Sequence, residues 1–218
     1  MKKLKNSLRR YFSQPGFKKK MILMLTGVLL MGFFMSFLIE VDLGTDPCTF
    51  MNVTVADRLH ILFGSWQLLL NAILLIVVIW LKPGLIGLGT IGNMVLIGYT
   101  SDFCRFLWAK WIPRQTFTDF PARGLLFAFA LAGFVFSASL YMNADMGLAP
   151  YDGVPIILHE HLFPKVSFTY VRMAFDFTII LIGVLSGGKP NIGIILMALL
   201  LGPTVGAVGR LIHKSGIA

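Results

Sequence analysis

The chain has 218 residues, of which 56% are hydrophobic and only 13% are charged. A soluble domain carries about a quarter charged residues, so this composition excludes a soluble enzyme and a disordered chain and is typical of an integral membrane protein. The net charge of +9 does not indicate nucleic-acid binding, because eight of the 19 Lys and Arg residues precede the first long apolar stretch.

Residues 1–20 form a basic tail directly before this apolar stretch. Such a tail is typical of a cytoplasmic N-terminus and favours contact with anionic lipid headgroups. The stretch is too long for a signal peptide, and no small-residue cleavage site follows it. We therefore expect it to be retained as the first membrane helix.

Six apolar stretches follow one another along the chain, each about as long as a helix needs to be to cross 30 Å of hydrocarbon. None shows the alternation of a membrane β-strand. The sequence therefore predicts an all-α polytopic membrane protein. The stretches are Met21–Ile39, Ser65–Leu81, Leu85–Phe103, Gly124–Met142, Phe168–Leu185 and Ile192–Ile212.

The two halves of the chain share a turn motif that predicts a tandem duplication. Residues 42–47 (DLGTDP) match residues 145–150 (DMGLAP) at three of six positions. We predict two homologous repeats of about three helices each, residues 21–108 and 122–214, joined by the linker 109–121. The predicted structural turn residues are Asp42, Gly44, Asp46, Pro47, Asp145, Gly147 and Pro150.

A shorter and more polar stretch follows each turn, Cys48–Phe63 in the first half and Tyr151–Phe163 in the second. Both predict an interfacial helix or a re-entrant helix buried in protein. If neither crosses the membrane, the halves are inverted and the linker region lies outside, although it is basic. If both cross, the halves are parallel. The sequence leaves this choice open.

Arg172 and Asp176 lie within the fifth apolar stretch, four residues apart, so they share one helix face and can pair. A charge in mid-bilayer costs roughly 2.5–3.5 kcal/mol, and such residues usually face the protein interior. The pair indicates a ligand site, and a structural ion pair is the alternative. Gln67 and Asn71 occupy a similar position in the first half, where amides also act as interhelical hydrogen-bonding groups.

Gly98-Tyr99-Thr100 and Gly202-Pro203-Thr204 interrupt two long stretches at corresponding positions. Paired breaks of this kind predict a transporter site, because unwound backbone offers free N–H and C=O groups. Close helix packing through small residues is the alternative. The predicted substrate-binding residues at the repeat interface are Asn71, Asn93, Gly98, Thr100, Arg172, Asp176, Gly202, Pro203 and Thr204.

No catalytic, metal or cofactor site is predicted. Residues 87–92 match the GxGxxG pattern but follow no strand, so they do not indicate dinucleotide binding. His159-Glu160-His161 has histidines that point apart on a helix, with no third ligand in the sequence. No nucleophile motif and no ATP-binding motif are present, so an enzyme is not expected.

The chain resembles the YczE/YyaS/YitT family of bacterial multi-pass membrane proteins. The resemblance rests on the Gly-x-x-Pro turns at residues 44–47 and 147–150 and on Gly87-Leu88-Gly89-Thr90 followed by Asn93 and Gly98. It implies a multi-pass fold in the bacterial cell membrane and carries no general biochemical activity.

The functional hypothesis is a small secondary transporter or flippase-like permease with its site at the repeat interface. Arg172 indicates a small anionic or amphiphilic ligand. The alternative is a non-transporting accessory or scaffold protein that supports a partner membrane enzyme. Homo-oligomerisation stays open.

Overall fold

A computed structural model describes residues 16–191, 193–195 and 197. Most of the sixth apolar stretch lies outside the described residues, as do the predicted site residues Gly202, Pro203 and Thr204 and most of the basic tail. The described part is helical and contains no strand, which confirms the predicted all-α class.

Eight α-helices and one 3₁₀ turn lie between residues 17 and 185, and the described residues 193–195 and 197 are also helical. Four of these helices, α1, α3, α6 and α8, are long and apolar enough to cross a membrane. The helices are α1 (Phe17–Val41), α2 (Pro47–Leu59), α3 (Phe63–Leu81), α4 (Leu88–Trp111), α5 (Gln115–Thr118), α6 (Ala122–Asn143), α7 (Pro150–His161) and α8 (Phe168–Leu185), and the 3₁₀ turn is Pro83–Leu85.

Helix α4 is continuous, so the interruption predicted at Gly98-Tyr99-Thr100 is wrong. Gly98 instead lets α4 approach α3, because a Cβ at this position would lie 2.5 Å from the Cα of Gly64. Thr100 packs against Gly32 of α1, whose own Cβ would lie 2.8 Å from that of Thr100. Small residues at these crossings serve close helix packing, the alternative considered for this motif.

Helices α1 and α6 pack against each other and run antiparallel. At one end, the Arg123 Nε donates to the carbonyl of Val41, 2.9 Å away. At the other end, Lys20 forms an ion pair with Asp145 at 3.3 Å. The first long helices of the two halves therefore run in opposite directions, as expected if the halves are inverted. The duplication itself stays a prediction.

The basic linker region lies at the C-terminal end of α1. Glu40 there accepts a hydrogen bond from Arg105 at 2.7 Å and lies 3.5 Å from Arg114. Arg123 also donates to the Asp42 carbonyl at 3.0 Å. Cations are favoured beside the free carbonyls of a helix C-terminus. These contacts give the linker charges local partners.

The two predicted turns adopt similar backbone conformations. Asp42 and Asp145 are left-handed, with φ of 49° and 52°, and Gly44 and Gly147 also have positive φ, of 152° and 103°. Proline then occupies the first turn of α2 and of α7, where its missing N–H costs nothing.

The short helices α2 and α7 contain 13 and 12 residues. At 1.5 Å per residue each is about 20 Å long, too short to cross the hydrocarbon core. Each packs against the second long helix of the opposite half. The Phe50 ring of α2 lies against Gly183 of α8, and Val78 of α3 lies against Gly153 of α7.

The C-terminal ends of the short helices are also fixed to the opposite half. Arg58 donates to the carbonyl of Ser186 at 2.8 Å. Lys82 pairs with Glu160, and this contact holds the pKa of the Glu160 carboxyl below its usual range. Both turns and both short helices are therefore held in place by residues of the other half of the chain.

Gly147→Ala should destabilise the protein. A residue with φ of 103° is strained by about 1–3 kcal/mol unless it is glycine, and the added Cβ would lie 2.4 Å from the backbone nitrogen of Gly87. Scanning fluorimetry in detergent should show a melting temperature several degrees lower. Gly84→Ala is the matched control, because its Cβ meets no atom within 4 Å. Equal melting temperatures for the two variants would contradict the packing described here.

Candidate functional site

A cavity of about 650 Å³ lies where the two halves meet. Seven helices contribute to its wall: α1, α2, α3, α4, α6, α7 and α8. Most of the wall is apolar, with a limited set of polar groups, which is the usual make-up of a small-molecule site. The charged and amide side chains of this wall are Asp46, Asn52, Gln67, Asn71, Asn93, Asp152, Arg172 and Asp176.

Four of the predicted binding residues line this one cavity, namely Asn71 on α3, Asn93 on α4, and Arg172 and Asp176 on α8. Gly98 and Thr100 are absent from its wall and lie instead at helix crossings. The structure therefore brings together predicted residues that are more than 100 positions apart in sequence.

Arg172 is the centre of a charged cluster at the cavity wall. Its Nε donates to Asp176 Oδ2 at 3.0 Å, and its Nη1 donates to Asp152 Oδ1 at 2.9 Å. The Tyr151 hydroxyl donates to Asp176 Oδ1 at 2.8 Å. The guanidinium also lies 5.5 Å from the centre of the Tyr151 ring, within cation–π distance. Arg172 thus bridges α7 and α8 and has two of its donor nitrogens occupied.

Asp46 supplies a third carboxylate to the cavity wall. It caps the N-terminus of α2, where it accepts hydrogen bonds from the backbone N–H of Thr49 at 3.0 Å and from the Thr49 hydroxyl. Within the described part of the chain this carboxylate forms no ion pair. Its position follows from the turn, since Pro47 begins the helix and an acid is a preferred residue at the preceding N-cap.

Two buried amides leave an oxygen without a partner among the described residues. Asn71 donates through Nδ2 to the Gln67 carbonyl at 3.0 Å, and Asn52 donates to the Cys48 sulfur at 3.3 Å. The Oδ1 atoms of both have no hydrogen bond, and the residues are only 2% and 1% exposed. An unsatisfied buried acceptor costs about 1–3 kcal/mol.

Sequence reasoning assigned Asp46 to a structural turn and did not assign Asp152 or Tyr151 to the site. Both missed residues lie in the first turn of α7, directly after Pro150. Part of the signal was present in the sequence, because each Gly-x-x-Pro turn is followed by a polar helical stretch. Their packing against the opposite half could not be read from sequence spacing.

A family described as "Family of unknown function (DUF6198)" matches residues 18–210 of the chain. The chain belongs to this family. The match covers both halves and every residue of the cavity wall, so the fold described here offers a framework for other DUF6198 members.

Two curated relatives of the DUF6198 chain were found. This chain is 25% identical over 182 residues to "Uncharacterized membrane protein YczE" of Bacillus subtilis, and the match covers 81% of this chain and 79% of the relative. It is 25% identical over 163 residues to an "Uncharacterized protein" of Haemophilus influenzae, covering 75% and 71%. No solved structure gives a significant match. The YczE resemblance is confirmed, and the chain is a membrane protein of an uncharacterised family.

Removing both carboxylates from Arg172 should destabilise the protein far more than removing either one. Asp176→Asn and Asp152→Asn each leave the guanidinium one partner, whereas the double variant leaves an unpaired charge, a loss on the order of 3 kcal/mol. Asp176→Asn should lower the melting temperature more than Asp152→Asn, because its side chain is 6% exposed against 31%.

Adding Arg172→Gln to the double variant should recover much of this loss, since no charge then remains. Asp57→Asn is the control, because Asp57 is exposed on α2. If either single variant is already as unstable as the double variant, Arg172 does not share its charge between the two carboxylates.

Proposed function

We propose that the chain is a small secondary transporter or flippase-like permease of the bacterial cell membrane, with the cavity between its two halves as the binding site. The observation that carries this proposal is the Asp152–Arg172–Asp176 cluster, which lies on the wall of a cavity large enough for a small organic molecule. Charges inside membrane helices are expensive, and they usually mark a substrate pathway.

The geometry of the cluster favours a binding role over a purely structural ion pair. The Arg172 and Asp152 side chains are 27% and 31% exposed, so the cluster is not sealed within a dry helix interface. Asn52 and Asn71, whose amide oxygens have no hydrogen-bond partner among the described residues, belong to the same cavity wall and add to its polar character.

The antiparallel arrangement of α1 and α6 supports alternating access. Inverted halves give a transporter two related conformations, in which a central site opens first to one face and then to the other. The chain carries no ATP-binding motif. Transport would therefore be coupled to an ion gradient, facilitated, or driven by a partner.

We further propose that the N-terminus is cytoplasmic, because residues 1–20 are strongly basic. The linker 109–121 then faces outside and the loop between α7 and α8 faces the cytoplasm. Asp119 and Lys165 are exposed residues of these two segments and serve as markers of the two faces.

Single cysteines at Met35 and Met173, introduced after Cys48 and Cys104 have been replaced by serine, test alternating access. Both methionines line the cavity, from α1 and α8. Each introduced cysteine should react with a membrane-impermeant thiol reagent in right-side-out and in inside-out vesicles, because the cavity opens to each face in turn. The cysteine of Asp119→Cys should react only from outside, and that of Lys165→Cys only from inside.

Ile73→Cys is the control for reagent leakage, because Ile73 is 52% exposed on the apolar surface of α3 and does not line the cavity. Reaction of both cavity cysteines from one face only would contradict alternating access. Protection of both from either face would favour the accessory or scaffold function, in which the cavity never opens.

A further inference from the structure

Three residues of the cavity wall carry hydrogen-bond acceptors with spare capacity. They are Asp46, whose carboxylate forms no ion pair among the described residues, and Asn52 and Asn71, whose Oδ1 atoms have no hydrogen-bond partner there. Both Asn side chains are at least 98% buried. A ligand that satisfies these groups must present N–H or O–H donors.

The cavity is also electronegative. Its described wall holds three carboxylates, Asp46, Asp152 and Asp176, against the single guanidinium of Arg172, a formal charge of −2 when all are ionised. The N-termini of α2, α7 and α8 reach the cavity, and each contributes roughly half a positive charge. Together they offset about one and a half of the two excess negative charges, so the balance stays negative by about half a charge.

Arg172 is poorly placed to attract an anion. Two of its nitrogens already donate to carboxylates, and the third carboxylate of the cavity would repel an anionic group. The anionic ligand expected from the sequence rested on this arginine alone. The surroundings of Arg172 favour a ligand of the opposite charge.

The apolar part of the wall indicates the size and polarity of the uncharged part of the ligand. Five methionines line the cavity, together with aromatic rings such as Phe134 and Tyr141, and the methionines are Met31, Met35, Met142, Met173 and Met197. Methionine side chains adapt to apolar ligands of different shapes, and aromatic faces attract cations. About 650 Å³ is far more than a bare inorganic ion fills.

From these observations we propose that the cavity binds an organic ammonium ion with an apolar body, whose charged head lies against Asp46. This inference rests on the proposed function for the claim that the cavity is a binding site. It adds the charge, the hydrogen-bonding character and the shape of what is bound.

Three compounds with the same body and different heads test the proposal: 4-phenylbutylammonium, 4-phenylbutyrate and 4-phenylbutanol. Binding to the protein in lipid nanodiscs is measured by isothermal titration calorimetry at pH 7, with empty nanodiscs as the reference for partition into lipid. The ammonium compound should bind at least tenfold more tightly than the alcohol, and the carboxylate should not bind.

Asp46→Asn should weaken ammonium binding at least tenfold. Asparagine is as good an N-cap as aspartate, so α2 keeps its first turn while the charge is lost. An unchanged melting temperature would show that the variant is folded. Asp57→Asn, on the exposed face of the same helix, should bind as the unsubstituted protein does.

Binding of the carboxylate in preference to the ammonium would overturn the proposal, and so would the absence of binding by all three compounds. It would also be overturned if sodium ions alone gave an Asp46-dependent stabilisation to which the ammonium compound added nothing. The transport proposal is judged separately by the cysteine reactions. Ammonium binding with one-sided cysteine access would retain the ligand class and refute alternating access.

Discussion

The structure depends on one interaction, the contact of Arg172 with Asp152 and Asp176 inside a bundle of apolar helices. A lone guanidinium in this environment would be strongly unfavourable, so its two carboxylates must be held close by. Asp176 lies one helical turn from Arg172 on the same helix, but Asp152 comes from α7. The short helix α7 must therefore begin deep in the protein, and the turn at residues 145–150 allows this.

Each half of the chain also holds the short helix of the other half in place. Each short helix is held by the second long helix of the opposite half, with Phe50 against Gly183 and Val78 against Gly153. A large residue meets a small one at both contacts. The N-termini of α2 and α7 are thereby brought to one cavity, where Asp46 and Asp152 add the negative charge that determines the proposed ligand.

Much of the fold was predictable because apolar length is a strong signal. The bounds of α8 were predicted to the residue, and the pairing of Arg172 with Asp176 followed from helical spacing. Asp152 was missed because its contact with Arg172 depends on the path of the chain through a turn. The break at Gly98 was predicted wrongly, because glycine in a membrane helix also serves close packing, and sequence alone does not separate the two uses.

The central claim is that the charged cluster faces a hydrated cavity, and hydroxyl-radical footprinting in nanodiscs tests it most directly, since methionine is readily oxidised beside water. Met31 and Met35 line the cavity, whereas Met24 and Met94 are comparably buried away from it. We predict oxidation of Met31 and Met35 well above that of Met24 and Met94. Equal protection of all four methionines would mean that this region is dry and would contradict the account.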